Sequence, residues 1–373
     1  MADTLPPCDP PTPARLRHVR GPAGLIDSYR IARRNILELI PEEAFEEPVV
    51  SGAGATRFHF VMEPEAIRRV LQTRAEDYPK STLARAVLEP AIGTSMIVAE
   101  SEDWRRQRRA AAPAFQPRHV DGLGPVMSAA AARAADRLEA SSGRAANLLD
   151  EMAAATFEVI ADATFSGGPA IDRDSVHRAI EAYGMAAARM SFLDLVGAPA
   201  WVPRPARLRP APEMAAMKAL ADRVIAERRT RPAKTPPDLL DLLVGAEELD
   251  DRDVRDNLLA FIVAGHETTA LTLAWAFYLL GLDPEVQEAV RQEARAALGD
   301  RVAGPQDLPR LPLTRQVIDE TLRLYPPAGF LSRMAAEPDE LCGAQVVPGD
   351  TVTIPVYAVH RHRALWAEPD MFR

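Results

Sequence analysis

Ala264-Gly265-His266-Glu267-Thr268-Thr269 stands at the centre of an apolar run from Leu258 to Leu280, inside a stretch, Asp251 to Leu282, that reads as one helix. At 1.5 Å per residue that helix spans about 45 Å, long enough to cross a domain and form the backbone of its core. A bilayer-spanning helix rarely tolerates Gly, His, Glu and two Thr at its middle, whereas the core helix of a large soluble protein does. Thr268 can bond back to the carbonyl of Ala264, and Gly265 loosens the same turn, so the helix is expected to bend or open there. An opened turn in an apolar core makes a polar notch in which an acid, Glu267, and a hydroxyl, Thr268, are neighbours, and such a notch suits proton delivery to a bound small molecule. The same residues also read as a buried, satisfied kink without chemistry. A zinc site of the HExxH type is excluded, because Ala270 occupies the place of the second His.

Around this helix the chain is ordinary soluble material: 373 residues, 47% hydrophobic and 26% charged. A net charge of -9 argues against a nucleic-acid footprint, which needs surplus Lys and Arg on one face. The two cysteines, Cys8 and Cys342, lie far apart and build neither a disulfide framework nor a CxxC site, which suits a reducing cytoplasm. The first residues have no basic region followed by an apolar one, so neither a secretory signal nor a membrane anchor is expected. Residues 1–24 read as a proline-rich extended arm, and residues 25–373 as the folded domain. Within it Arg57 to Met62 alternates like a strand, and Glu63-Pro64-Glu65 opens a helix through Leu71. Helices are expected over Val120–Ala140, Asn147–Phe165, Asp174–Arg189, Pro212–Arg229, Pro284–Leu298 and Leu313–Leu324. Between Gly197 and Pro212 five prolines mark a long loop. Strand character returns at Val346-Val347 and Thr351–Val356, set as a hairpin about Pro348-Gly349-Asp350. The fold class is therefore mainly α with a small β region.

Three further signals flank the core helix. Glu320 and Arg323 lie at i, i+3 on one helix face before Tyr325-Pro326-Pro327; in apolar context they read as a partly buried ion pair that sets geometry and adds little net stability. Trp104 and Arg108 lie one turn apart and can offer an indole N–H and a guanidinium to one anion, or simply belong to a basic surface helix. Gly329-Phe330-Leu331-Ser332-Arg333 is an apolar segment ending in a single cation.

In this order the signals resemble the cytochrome P450 family: WxxxR at Trp104 and Arg108, followed by Ala114-Phe115-Gln116-Pro117; A-G-x-E-T-T at Ala264 to Thr269; ExxR at Glu320 and Arg323. His360-Arg361 and Trp366 through Phe372 resemble the run into that family's meander, so the similarity extends from about Arg57 to the last residue. The resemblance implies the P450 fold and haem b as cofactor. It implies a monooxygenase that inserts one atom of dioxygen into a hydrophobic substrate, with a ferredoxin- or flavodoxin-type electron donor. It makes Trp104, Arg108 and Arg333 ligands of the haem propionates, and sets Ala264 and Gly265 beside the haem. Glu267 and Thr268 become a proton relay, and Glu320 and Arg323 a structural pair. Arg105, Arg106 and Arg109 become candidates for the donor's docking face. Trp104 followed by Phe115-Gln116-Pro117 is closer to the fatty-acid-hydroxylating branch, and Val87, Leu88, Ile92, Met96, Ile97, Met190–Trp201 and Phe330-Leu331 are apolar enough to line a pocket. The family's haem-ligating cysteine loop has no counterpart among these residues, so the axial Cys is expected beyond Arg373 and the chain is expected to be inactive alone. A catalytically dead remnant and a peroxide-driven or isomerising enzyme of the same fold are the alternatives.

Overall fold

Asp250 and Asp253 start the long helix: each carboxylate accepts the other's backbone N–H, a capping box that satisfies two of the donors a helix leaves open. The computed structural model describes residues 12–17, 25–53, 57–165, 212–231 and 237–373. In chain order its helices are α1 (Leu25–Asn35), α2 (Pro64–Arg68), α3 (Thr82–Ile92), α4 (Ser101–Ala111), α5 (Pro117–Gly122), α6 (Gly124–Ala140), α7 (Leu148–Phe165), α8 (Pro212–Arg229), α9 (Leu239–Val244), α10 (Asp251–Leu282), α11 (Pro284–Leu298), α12 (Pro312–Leu324) and α13 (Val356–Val359). The buried face of α10, Val254, Leu258, Leu259 and Ile262, packs with Phe157 of α7, Ile225 of α8 and Leu240 of α9. Each such side chain fully removed from water contributes about 1.5–3 kcal/mol, so this cluster is the main hydrophobic anchor of α10. Along the same helix Ala270 joins α6 and α7 through Ala134 and Met152.

A small sheet forms the other part of the molecule. Its strands are β1 (Val49–Ala53), β2 (Arg57–Val61), β3 (Leu331–Met334) and β6 (Thr351–Ile354), in the order β1-β2-β6-β3; β2 and β6 are parallel and the other pairs antiparallel. β4 (Asp339–Leu341) and β5 (Ala344–Val346) pair only with each other. The expected hairpin between Val346 and Val356 is therefore corrected: β5 turns back on β4 and β6 leaves for the main sheet. Asp350 causes the parting. Its buried carboxylate accepts the Val347 N–H at 2.9 Å and bonds His59 of β2 at 3.0 Å, fastening the start of β6 to β2.

Two helix expectations also change. Val120–Ala140 is divided into α5 and α6: Pro125, which has no N–H to donate, stands in the first turn of α6, and Gly124 before it is packed so closely that a Cβ would fall 2.5 Å from Pro305. After α2 the helix widens into a π turn at Arg69–Thr73, whose Arg69 reaches out to Asp339 at 2.7 Å. The helix expected at Asp174–Arg189, the proline-rich loop from Gly197 and the apolar stretch Met190–Trp201 lie outside the described residues, as does most of the N-terminal arm.

Candidate active site

The site starts from Lys80. Its ammonium donates to the carbonyls of Met96 and Ala99, at 3.1 and 2.5 Å, and its backbone N–H donates to the Glu100 carboxylate at 2.7 Å. Lys80 also forms an antiparallel bridge with Arg333 of β3. Glu100 precedes α4, and its carbonyl accepts the N–H of Trp104 one turn on. A contiguous path of contacts thus runs from Arg333 through Lys80 and Glu100 to Trp104, joining two segments that are remote in sequence.

Arg333 is half-buried; burial works against its charge, Glu100 offsets part of that cost, and its guanidinium donates to the Ser332 carbonyl at 3.1 Å. No carboxylate lies within ion-pair distance of it among the described residues. Arg108 holds its guanidinium 5.4 Å from the Trp104 ring, a cation–π contact, and likewise has no ion pair among the described residues. Its neighbours differ. Arg105 pairs with Glu76 and Glu102, and Arg106 with Asp103 and Asp253. Those two charges, expected to face a donor, are balanced by this chain's own carboxylates; Arg109 is exposed. Among the described residues neither Arg108 nor Arg333 has an ion-pair carboxylate, and Arg108 rests on an indole with its own N–H, so each guanidinium can take an external anion.

α4 is fixed to α10 by amides. Asn257 donates to the Gln107 side chain at 2.7 Å, and Gln107 donates to the Thr94 carbonyl at 2.9 Å. Beyond it Phe115 meets Phe261 edge-on, with centroids 5.2 Å apart. Ala264 and Thr268 follow Asn257 and Phe261 on one stripe of α10, at steps of three and four residues. Ala264, Glu267 and Thr268 are exposed, whereas His266 is buried, bonded to the Ala153 carbonyl at 3.1 Å and set edge-on to Phe157. His266 anchors the turn, while Glu267 and Thr268 are exposed. Thr268 does bond back to the Ala264 carbonyl, at 2.6 Å, yet α10 remains α-helical through this turn. A cavity of about 330 Å³ adjoins Ala264 and Gly265 and is lined by Phe115, Ile160, Leu239, Leu242 and Phe261. Leu88, Ile92 and Ile97 pack with Ala260 and Val263 of α10, while Met96 joins the main core and Phe330 the cluster around Tyr357.

Arg323 is a hub whose five N–H donors are all used. Two go to the Glu320 carboxylate, each at 2.7 Å, and three to the carbonyls of His360, Pro369 and Met371, at 2.9, 2.6 and 2.8 Å. The Trp366 ring lies 5.0 Å away. Cys342 occupies the turn between β4 and β5, exposed, with its thiol pushed up by burial and by Glu63. Sequence reasoning missed Lys80 and Glu100. No spacing rule marks them, since they act through backbone groups of distant segments.

The family model described as Cytochrome P450 matches residues 42–373 of the chain, so the likeness begins before the first strand expected from sequence. Cyclooctatin synthase of Streptomyces melanosporofaciens is 29% identical over 97% of this chain and 80% of its own length. Cyclooctat-9-en-7-ol 5-monooxygenase of the same organism is 34% identical over 86% of this chain and 70% of its own length. Among solved structures, the haem domain of cytochrome P450DA aligns with a TM-score of 0.74 at 23% identity, over 95% of this chain and 77% of that one.

Proposed function

The chain belongs to the cytochrome P450 family, and on that premise we propose that Trp104, Arg108 and Arg333 hold the haem propionates, with Ala264 and Gly265 against the macrocycle. The reading is supported chiefly by Arg333, a half-buried guanidinium with no carboxylate partner among the described residues. Bound haem supplies dioxygen activation, from which one oxygen atom enters the substrate. The rest is the work of side chains. The Thr268 hydroxyl, its proton engaged by the Ala264 carbonyl, keeps lone pairs free to accept a bond. The exposed Glu267 carboxylate can exchange protons with solvent, so the two together move protons toward the haem side of α10. Glu320 and Arg323 position the 360–371 segment and do not touch the reaction.

The substrate in this reading is a hydrophobic organic molecule, in keeping with the aromatic and aliphatic lining beside Ala264. A relative that oxygenates cyclooctat-9-en-7-ol supports an apolar alcohol as well as the fatty-acid-like molecule. Electrons come from a ferredoxin- or flavodoxin-type donor; with Arg105 and Arg106 balanced internally, Arg109 is left as the docking cation on α4. We further propose a cytoplasmic setting, a single domain over residues 25–373, and no oxygenation by these 373 residues alone, because Cys342 lies in the exposed turn between β4 and β5 and not in a haem-binding loop of the family's kind. The test of the relay is Thr268→Ala in a haem-loaded, oxygenating form of the protein that carries the axial cysteine, reading product formed per dioxygen consumed. Loss of proton delivery should lower that ratio about tenfold or more, with peroxide released instead, since one positioned acid or base contributes about 10²–10⁴-fold. An unchanged ratio would favour a peroxide-using enzyme of the same fold.

A further inference from the structure

The arm residues 12–17 lie across a group of aromatic rings. Trp275 of α10 and Tyr325 at the end of α12 stack at 4.0 Å with their planes 12° apart, and Tyr278 meets both edge-on. The two phenols grip one residue of the arm: the Ala14 N–H donates to the Tyr278 hydroxyl at 3.1 Å, and the Tyr325 hydroxyl donates to the Ala14 carbonyl at 2.9 Å. On either side Pro13 is buried and Leu16 packs on the cluster of Phe45 and Tyr357. A proline-rich segment is a favourable strap, because its extended backbone loses little entropy on docking against aromatic faces.

Arg15 carries the consequence. It pairs with one oxygen of Asp370 at 3.1 Å, while the other oxygen faces the buried Arg361 at 3.5 Å. Arg361 is 3% exposed, its guanidinium lies 3.9 Å from the Tyr357 ring, and two of its nitrogens have no hydrogen-bond partner. Asp370 is thus held between an outer and an inner cation. The residues on both sides of it, Pro369 and Met371, present the carbonyls that Arg323 binds.

We propose that Arg15 and the Ala14 backbone are positioning groups: the arm straps the 369–371 segment from outside, so that its carbonyls stay on Arg323. This role belongs to the chain itself and does not require the porphyrin reading. Hydrogen exchange on the full 373-residue chain tests it. With Arg15→Glu, peptides over 365–373 should exchange about two- to fivefold faster, the range expected for a half-exposed ion pair. Arg15→Lys should restore the wild-type rate, Tyr325→Phe should also loosen the segment, and Arg17→Glu, outside these contacts, should not. Exchange over Gly124–Ala140 should be unchanged throughout. Unaltered exchange at 365–373 in both Arg15→Glu and Tyr325→Phe overturns the proposal. So does failure of Lys to rescue, or an equal rise over Gly124–Ala140, which marks global destabilisation instead.

Discussion

Arg323 shows why an ion pair that adds little net stability can still be costly to break. Its charge is buried beside Glu320, and three backbone carbonyls depend on it as well. Removing only the cation leaves a largely buried carboxylate without its charge partner and three carbonyls without this donor, a loss of about 3–5 kcal/mol. Lys has three donors on one atom and cannot cover five bonds in the geometry of a planar fork. Arg323→Lys should therefore lower the stability of the chain in urea nearly as much as Arg323→Ala. A loss below about 1 kcal/mol for Lys would mean that the hub is ornamental. The Glu320–Arg323 pair was legible from spacing and apolar context, but its three carbonyl partners were not, because they arrive from 37 to 48 residues downstream.

At the scale of elements, two glycines separate permissiveness from necessity. Gly265 in α10 has ordinary room: a Cβ there would meet the Ile160 methyl at 3.4 Å. Gly93, which ends α3, has φ +58, and a Cβ would fall 2.0 Å from the Asp256 carboxylate, which accepts the Thr94 N–H at 2.9 Å. Gly265→Ala should keep the stability unchanged or raise it by up to about 1 kcal/mol through helix propensity. Gly93→Ala combines left-handed strain with a clash against a buried charge and should cost roughly 1–3 kcal/mol. Thermal unfolding of the two variants decides the matter; equal midpoints would contradict it. Boundaries set by local chemistry could be read from the sequence: the bounds expected for α8, α10 and α11 match those observed, the last two helped by side-chain caps at Asp250 and Asp283. β1, β3 and β4 could not. Each is short, and each exists only because another segment, remote or turned back by tertiary contacts, pairs with it.

For the whole molecule the same division governs the site. Four weak motifs in a fixed order named the family, and the helix-rich fold with its two small sheets agrees with it. What the order of motifs could not supply was the path from Arg333 through Lys80 and Glu100 to Trp104, which rests on a single backbone bridge between β3 and the chain before α3. Nor did it reveal that Arg105 and Arg106 are occupied while Arg108 has no ion pair among the described residues. The central claim is that the propionate edge of haem is recognised by Arg108, Trp104 and Arg333. Each charge-assisted bond to a carboxylate adds about 1.5–3 kcal/mol, so haem with free propionates should bind the chain about tenfold or more tighter than its dimethyl ester. Tryptophan fluorescence quenching measures both affinities without depending on an axial thiolate. The account predicts a preference for the diacid that disappears in Arg108→Ala/Arg333→Ala; equal affinity for acid and ester, or a preference that survives the double substitution, would contradict it.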